Sequence, residues 1–145
     1  MPYTFQVTMD CASAHEQADW WAQTLGWDVV WPDEEFIQSM IDQGHATAAD
    51  ARTHRGHLVW TEAAAIVHPD GPDAAHSGRM YFQQVPESKS AKNRLHLDVR
   101  VGADRIEAEH ERLAKRGATL LRRDSQGPHQ YIVMADPEGN EFCVT

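Results

Sequence analysis

Leu95-His96-Leu97-Asp98-Val99-Arg100-Val101 alternates apolar and polar residues, the two-residue period of a half-buried strand. About 90 residues earlier, Phe5-Gln6-Val7-Thr8-Met9-Asp10-Cys11 does the same. Each run leads into a helix with matching punctuation. Ser13 with Glu16 three residues on, and Asp104 with Glu107, both have capping-box spacing. Gly26 and Gly117 stand equally far beyond those caps, where a helix ends in a left-handed residue. One strand–helix unit is therefore written twice. The expected fold is α+β, two βαβββ modules in tandem, with their sheets facing each other across a cleft. Residues 1–145 read as a single domain, with module one at about 1–88 and module two at about 93–145.

Working outward, the first helix has Ala14, Ala18, Trp21, Ala22 and Leu25 as its buried stripe, with Trp20 beside it. A second strand, 27–31, halts at Pro32. Residues 33–43 read as a helix stopped by Gly44, within a helical insertion at 33–50 that the second half lacks. Two roles stand open for it, a lid beside the cleft or a cover for a sheet edge. Residues 44–56 read as a short helix or loop, 57–67 as strand material, and 68–73 as a turn. Strand 79–85 and a charged connection at 86–93 close the first half. The second half repeats the order. Strand 94–101 precedes helix 104–116, which turns Ile106, His110, Leu113 and Ala114 inward; strands 118–123, 130–135 and 141–144 follow.

A formal charge of −9 would repel a polyphosphate backbone, so nucleic acid is not an expected partner. No apolar run approaches bilayer length, and no membrane association is expected. Two cysteines are too few for a disulfide framework, and a cytoplasmic location is expected.

His96 and Asp98 lie two apart and share a strand face, either as a cleft acid–base pair or as a polar pair supporting the core. Gln6, Thr8 and Asp10 mirror His96, Asp98 and Arg100 across the repeat. Because unpaired buried polar groups are costly, two such rows point to a wet, ligand-sized cavity. Trp60 and Trp20 are candidates for stacking on a planar ligand or for a dimer interface. Cys143 is either a thiol activated near His96 and Glu141 or a buried inert one, and a neighbouring carboxylate favours the latter. His45, His54, His57, His68 and His76 fit no metal-binding spacing and read as surface residues.

Five segments carry a family resemblance. They are Asp10-Cys11-Ala12, the run from Trp21 to Trp27 ending Leu-Gly-Trp, and Tyr81-Phe82-Gln83-Gln84-Val85-Pro86-Glu87. The others are Lys92-Asn93-Arg94-Leu95-His96-Leu97-Asp98 and the run from Met134 to Cys143 containing Asp136-Pro137-Glu138-Gly139-Asn140. In this order they resemble the vicinal oxygen chelate superfamily of glyoxalase I, bleomycin-resistance proteins and extradiol dioxygenases, and most of all its small glyoxalase-like domain proteins. The resemblance implies that fold, a homodimer, and a pocket between the modules. In metal-dependent members, four inward His, Gln or Glu side chains hold a divalent ion that polarises substrate oxygens.

Carried over residue by residue, the ligand positions fall at Gln6, at Tyr81 or Gln83, at His96, and at Cys143 where the family has glutamate. Glu141 lies two residues before Cys143 on the same strand face. Such a set holds little negative charge, so no metal cofactor is expected; a divalent ion, if present, would use Gln6, His96, and Glu141 or Cys143. The expected function is binding of a small organic molecule, for sequestration or an uncharacterised reaction. His96 and Glu141 would be its catalytic residues, and Gln6, Thr8, Asp10, Trp60, Tyr81, Gln83, Asp98 and Cys143 its ligand contacts. The alternatives are a metal-dependent lyase, isomerase or dioxygenase using His96 and Glu141, and an interaction domain without a ligand.

Overall fold

The computed structural model describes residues 2–74 and 77–145, so His76 lies outside the described residues. The chain divides into two compact units, Met1–Ser88 and Lys89–Thr145.

In the first unit, β1 (Val7–Cys11) leads through α1 (Ala14–Leu25) to β2 (Asp28–Val30); β5 (Ala63–Val67) and β6 (Arg79–Gln84) complete a sheet ordered β1-β6-β5-β2. β1 runs parallel to β6, and the other pairs are antiparallel. The alternation sends Met80, Phe82 and Ile66 to the face under α1, where Ala14, Ala18 and Trp21 meet them, all nearly solvent-free. Trp20 is also buried, edge-on to Trp21 with ring centroids 5.1 Å apart, so it offers no stacking surface. α1 ends at Gly26 (φ 69°), with Trp27 N–H reaching back to the Ala22 carbonyl at 2.9 Å. Its start departs from the expected capping box. Ser13 is the N-cap residue, but no side-chain cap bond forms, and Glu16 is drawn instead to Arg52 at 2.9 Å.

The insertion contains more than a helix. After α2 (Glu34–Asp42), capped by Asp33, and a 3-10 turn at Ala48–Asp50, the segment expected as helix or loop forms a hairpin of β3 (Ala51–His54) and β4 (His57–Trp60). Arg55 and Gly56 take φ of 50° and 83°, the mirror-image turn that matches strand twist. Arg52, His54 and Arg55 tie the hairpin to Glu16 and Asp19 of α1, and His15 Nε2 donates to the Trp60 carbonyl at 2.7 Å. α2 packs on β4, burying Ile37 and Val59 completely. The insertion is thus tied to α1 through the hairpin, within the first unit. The histidines there are packed: His54 meets Asp19 at 2.8 Å, His57 stacks on Trp31 at 4.0 Å, and His68 meets the edge of Trp27.

The second unit repeats the plan without an insertion. Its sheet, ordered β7-β10-β9-β8, is built from β7 (Asp98–Val99), β8 (Thr119–Gln126), β9 (His129–Ala135) and β10 (Glu141–Val144). The expected strand 94–101 shrinks to two ladder residues, although Leu97, Val99 and Val101 still exchange backbone bonds with Cys143 and Thr145. α3 (Ile106–Lys115) starts later than expected because a 3-10 turn occupies Ala103–Arg105, and Glu107 pairs with Arg123 rather than capping. Ile106 and Leu113 are buried as expected, but Ala114 is exposed, and Glu109 is buried rather than the half-buried His110. A buried carboxylate needs partners, and Arg112 (2.8 Å) and Arg105 (3.4 Å) supply them. In β8 the pairing with β9 slips between Leu120 and Arg122, a bulge that leaves Leu121 half exposed.

Candidate functional site

The register of the second sheet assembles the site. Asp98 pairs with Cys143, Cys143 with Val133, and Val133 with Arg122, so these four side chains stand in a row on one face. The opposite face carries Phe142, Val144, Ile132 and Met134, all buried. His96, two residues before Asp98, joins the first face, as do Glu141 and Tyr131 by the same alternation. Together with Lys92 they line a cavity of about 260 Å³ formed by second-unit residues alone.

Asp98 is the hub of this face. Its carboxylate lies 3.4 Å from His96 Nε2, and it accepts a hydrogen bond from the Cys143 thiol. Burial pushes that thiol above its ordinary value, and the charge and hydrogen bond of Asp98 push it further. Arg122 and Lys92 pull the other way without prevailing. At neutral pH Cys143 is a protonated thiol, not an activated nucleophile. His96, Asp98 and Cys143 each present one donor atom within 4.8 Å of the other two.

Glu141 is fixed differently. Lys89 Nζ lies 3.2 Å from Oε1, and the Asn93 amide donates to Oε2 at 3.1 Å. Burial opposes ionisation of Glu141, but the Asn93 amide, its own amide and Lys89 outweigh it and hold the carboxyl below the usual range. The preceding turn is rigid because buried Asp136 accepts from the amides of Glu138 and Asn140, while Asn140 Oδ1 accepts from Asn93.

The remaining candidate residues lie in the first unit. Gln6, Thr8 and Asp10 point from the exposed side of its sheet, where Tyr81 and Gln83 are their cross-strand neighbours. Gln6 Oε1 accepts from Arg79, whose guanidinium lies 5.8 Å from the Tyr81 ring centroid. Trp60 sits on the hairpin, away from that face. Within the second unit the structure brings His96, Asp98, Glu141 and Cys143 together, and within the first it groups Gln6, Thr8, Asp10, Tyr81 and Gln83 on one sheet face.

Sequence reading missed Arg79, Lys89, Lys92, Arg122 and Tyr131. For Arg122 the signal is the bulge. With continuous pairing, Leu121 would face the cavity and Arg122 the helix side.

Among the described residues, no helix is long and apolar enough to cross a membrane. No curated protein matches the chain. The described fold is similar to fosfomycin resistance protein FosX from Mesorhizobium loti, with TM-score 0.63 and 10% identity over 99% of this chain and 90% of that one. It is also similar to a glyoxalase/bleomycin resistance protein/dioxygenase family enzyme from Burkholderia phytofirmans PsJN, with TM-score 0.61, 14% identity and coverage of 96% and 94%. A glyoxalase family protein from Bacillus cereus gives TM-score 0.59 and 16% identity, covering 99% and 93%. These likenesses establish the fold. Residues 6–145 match the family model described as glyoxalase-like domain, and the chain belongs to that family within the vicinal oxygen chelate superfamily.

Proposed function

We propose that this protein binds a compact organic molecule on the polar face of its second-unit sheet, for sequestration or chemical modification. One observation carries the reading: a cavity of about 260 Å³ whose wall sets Lys92, His96, Asp98, Arg122 and Glu141 beside the apolar surface of Val133 and Phe142. A mixed wall with several convergent ionisable groups suits a guest that carries both apolar and polar surface. The volume lies below the ~300–1,000 Å³ usual for drug-sized ligands, so the guest is small. Arg122 and Lys92 favour a ligand with a carboxylate or phosphonate group. That agrees with, but does not depend on, the fosfomycin resistance named for one structural neighbour. Asp98 orients His96 to donate or accept a proton at the ligand. Tyr131 supplies an aromatic flank.

The family's four-ligand metal set is not supported here. The Gln6 carbonyl is engaged by a guanidinium, whose charge opposes a cation, and Cys143 stands in the glutamate position. The alternative, a metal-dependent lyase, isomerase or dioxygenase using His96 and Glu141, has one observation in its favour, the converging donors of His96, Asp98 and Cys143. Glu141 itself is committed to Lys89 and Asn93. A homodimer and a cytoplasmic location complete the proposal; two buried thiols fit a reducing compartment.

A thermal-shift screen of small carboxylates and phosphonates, run with excess chelator, tests the leading reading. A hit that raises the melting temperature, with a shift that Arg122→Gln diminishes, is the expected result. Hits only in the absence of chelator would transfer the weight to the alternative.

A further inference from the structure

We infer that the cavity takes an amphoteric ligand, one that carries an anionic group and, several carbons away, a protonated amine. The inference rests on reading this cavity as the binding site, and it deepens that reading by giving the guest a second, opposite charge. The sheet register supplies the argument. Asp98, Cys143, Val133 and Arg122 occupy consecutive places across β7, β10, β9 and β8, and all four line the cavity. The row thus has a carboxylate at one end and a guanidinium at the other. Between them stand a protonated thiol and an isopropyl group.

Each end keeps capacity for a ligand. Asp98 is 54% exposed, with Oδ1 3.4 Å from His96 Nε2, and among the described residues no lysine or arginine pairs with it. Imidazole and the Cys143 thiol use two of the roughly four acceptor positions of a carboxylate, so the others are open to a cation in the cavity. At the far end Arg122 meets Asp124 through Nε at 3.4 Å, a contact that leaves its two terminal nitrogens for an anion. Lys92 also lines the wall, with its ammonium on the Asn93 carbonyl at 3.3 Å. The spacing then selects among amphoteric molecules. Three ladder steps set the ends of the row about 14 Å apart at the backbone, and contacts of about 2.8 Å at each end leave roughly 8 Å between the ligand's charges. Val133 in the middle gives a methylene chain an apolar floor. An α-amino acid carries its charges on neighbouring carbons and cannot reach both ends. An ω-amino acid with several carbons between its charges can.

Three probes of one chain length test this: hexanoate, ε-aminohexanoate and its isomer norleucine. Their binding to the full chain is measured by isothermal calorimetry with excess chelator at about pH 8, where an ordinary imidazole is neutral and a primary amine charged. The ε-amine should tighten binding about tenfold over hexanoate, the scale of one hydrogen bond to a charged group, and the α-amine of norleucine should give no such gain. Asp98→Asn should bring the ratio of the ε-aminohexanoate and hexanoate affinities close to one. Arg122→Gln should weaken both ligands and preserve that ratio. Each variant serves as its own reference in the ratio, so a loss of stability does not imitate the result. Equal binding of hexanoate and ε-aminohexanoate, norleucine as tight as ε-aminohexanoate, or a preference that survives Asp98→Asn would overturn the amphoteric ligand alone and leave an anion site. Absence of binding by all three overturns it as well, and the broader screen of carboxylates and phosphonates then decides separately whether the cavity holds an organic anion.

Discussion

The two sheets share a strand order, yet their polar faces differ. In the first, β1, β6 and the residue before β1 present Gln6, Thr8, Asp10, Arg79, Tyr81 and Gln83, where Arg79 donates to Gln6 and joins a cation to a neutral amide. In the second, β7, β10, β8 and the segment before β7 present His96, Asp98, Cys143 and Arg122, where charges, an imidazole and a thiol converge around a cavity. The same topology thus holds two different surfaces, and only the second concentrates groups that exchange protons or bind ions near neutral pH. Topology places side chains; residue identity alone decides whether the place has chemistry.

The largest effect that tests this contrast is in the apolar backing of each face. Phe82 and Phe142 are nearly solvent-free on corresponding strands, and Phe→Ala at either should cost about 3–5 kcal/mol in urea denaturation. Under conditions where both variants stay folded, only Phe142→Ala should impair ligand binding. Equal impairment by Phe82→Ala would erase the distinction between the faces.

Next, Arg122→Gln should weaken an anionic ligand about tenfold, near the lower end for a charge-assisted bond because the side chain is half exposed. Arg79→Gln in the first unit should leave that affinity unchanged by isothermal calorimetry.

A smaller effect, in the first unit, is read by pH. Burial holds the His15 imidazole below its ordinary value of 6.5, so the folded state resists its protonation. Its contribution to stability is complete above that value and diminishes as pH falls below it, since the unfolded chain takes up the proton first. His15→Gln should therefore flatten the acid limb of melting temperature against pH. The smallest effect belongs to Glu107 and Arg123, an exposed pair whose removal by Glu107→Gln should leave the melting temperature unchanged within error.

Much of this architecture is legible in the residues. The alternating runs at Gln6 and His96, the left-handed Gly26, and the Asp136–Asn140 turn each follow from local chemistry, which is why the repeat stands out. The pairing of His96 with Asp98 was readable too, because two-residue spacing fixes a shared face. Harder to read is what depends on distant partners. The β3–β4 hairpin hides because Arg55, an unusual residue at positive φ, occupies a position where Asn or Asp would have announced a turn. Glu16 and Glu107 have capping-box spacing, but Arg52 and Arg123 compete for them from other strands. Burial of Glu109 follows from two arginines one turn away, a pattern indistinguishable in sequence from a solvated helix face.

The slip at Leu121 gives β8 slack that its neighbours lack. A strand with one surplus residue absorbs a single deletion at that spot by straightening, and Arg122, Asp124 and Gln126 keep their partners Val133, Tyr131 and His129. The same deletion at Arg123, beyond the slip, inverts the parity of everything after it. Tolerance to shortening along this one strand is therefore expected to change abruptly within two positions, and the wall of the cavity lies on the intolerant side.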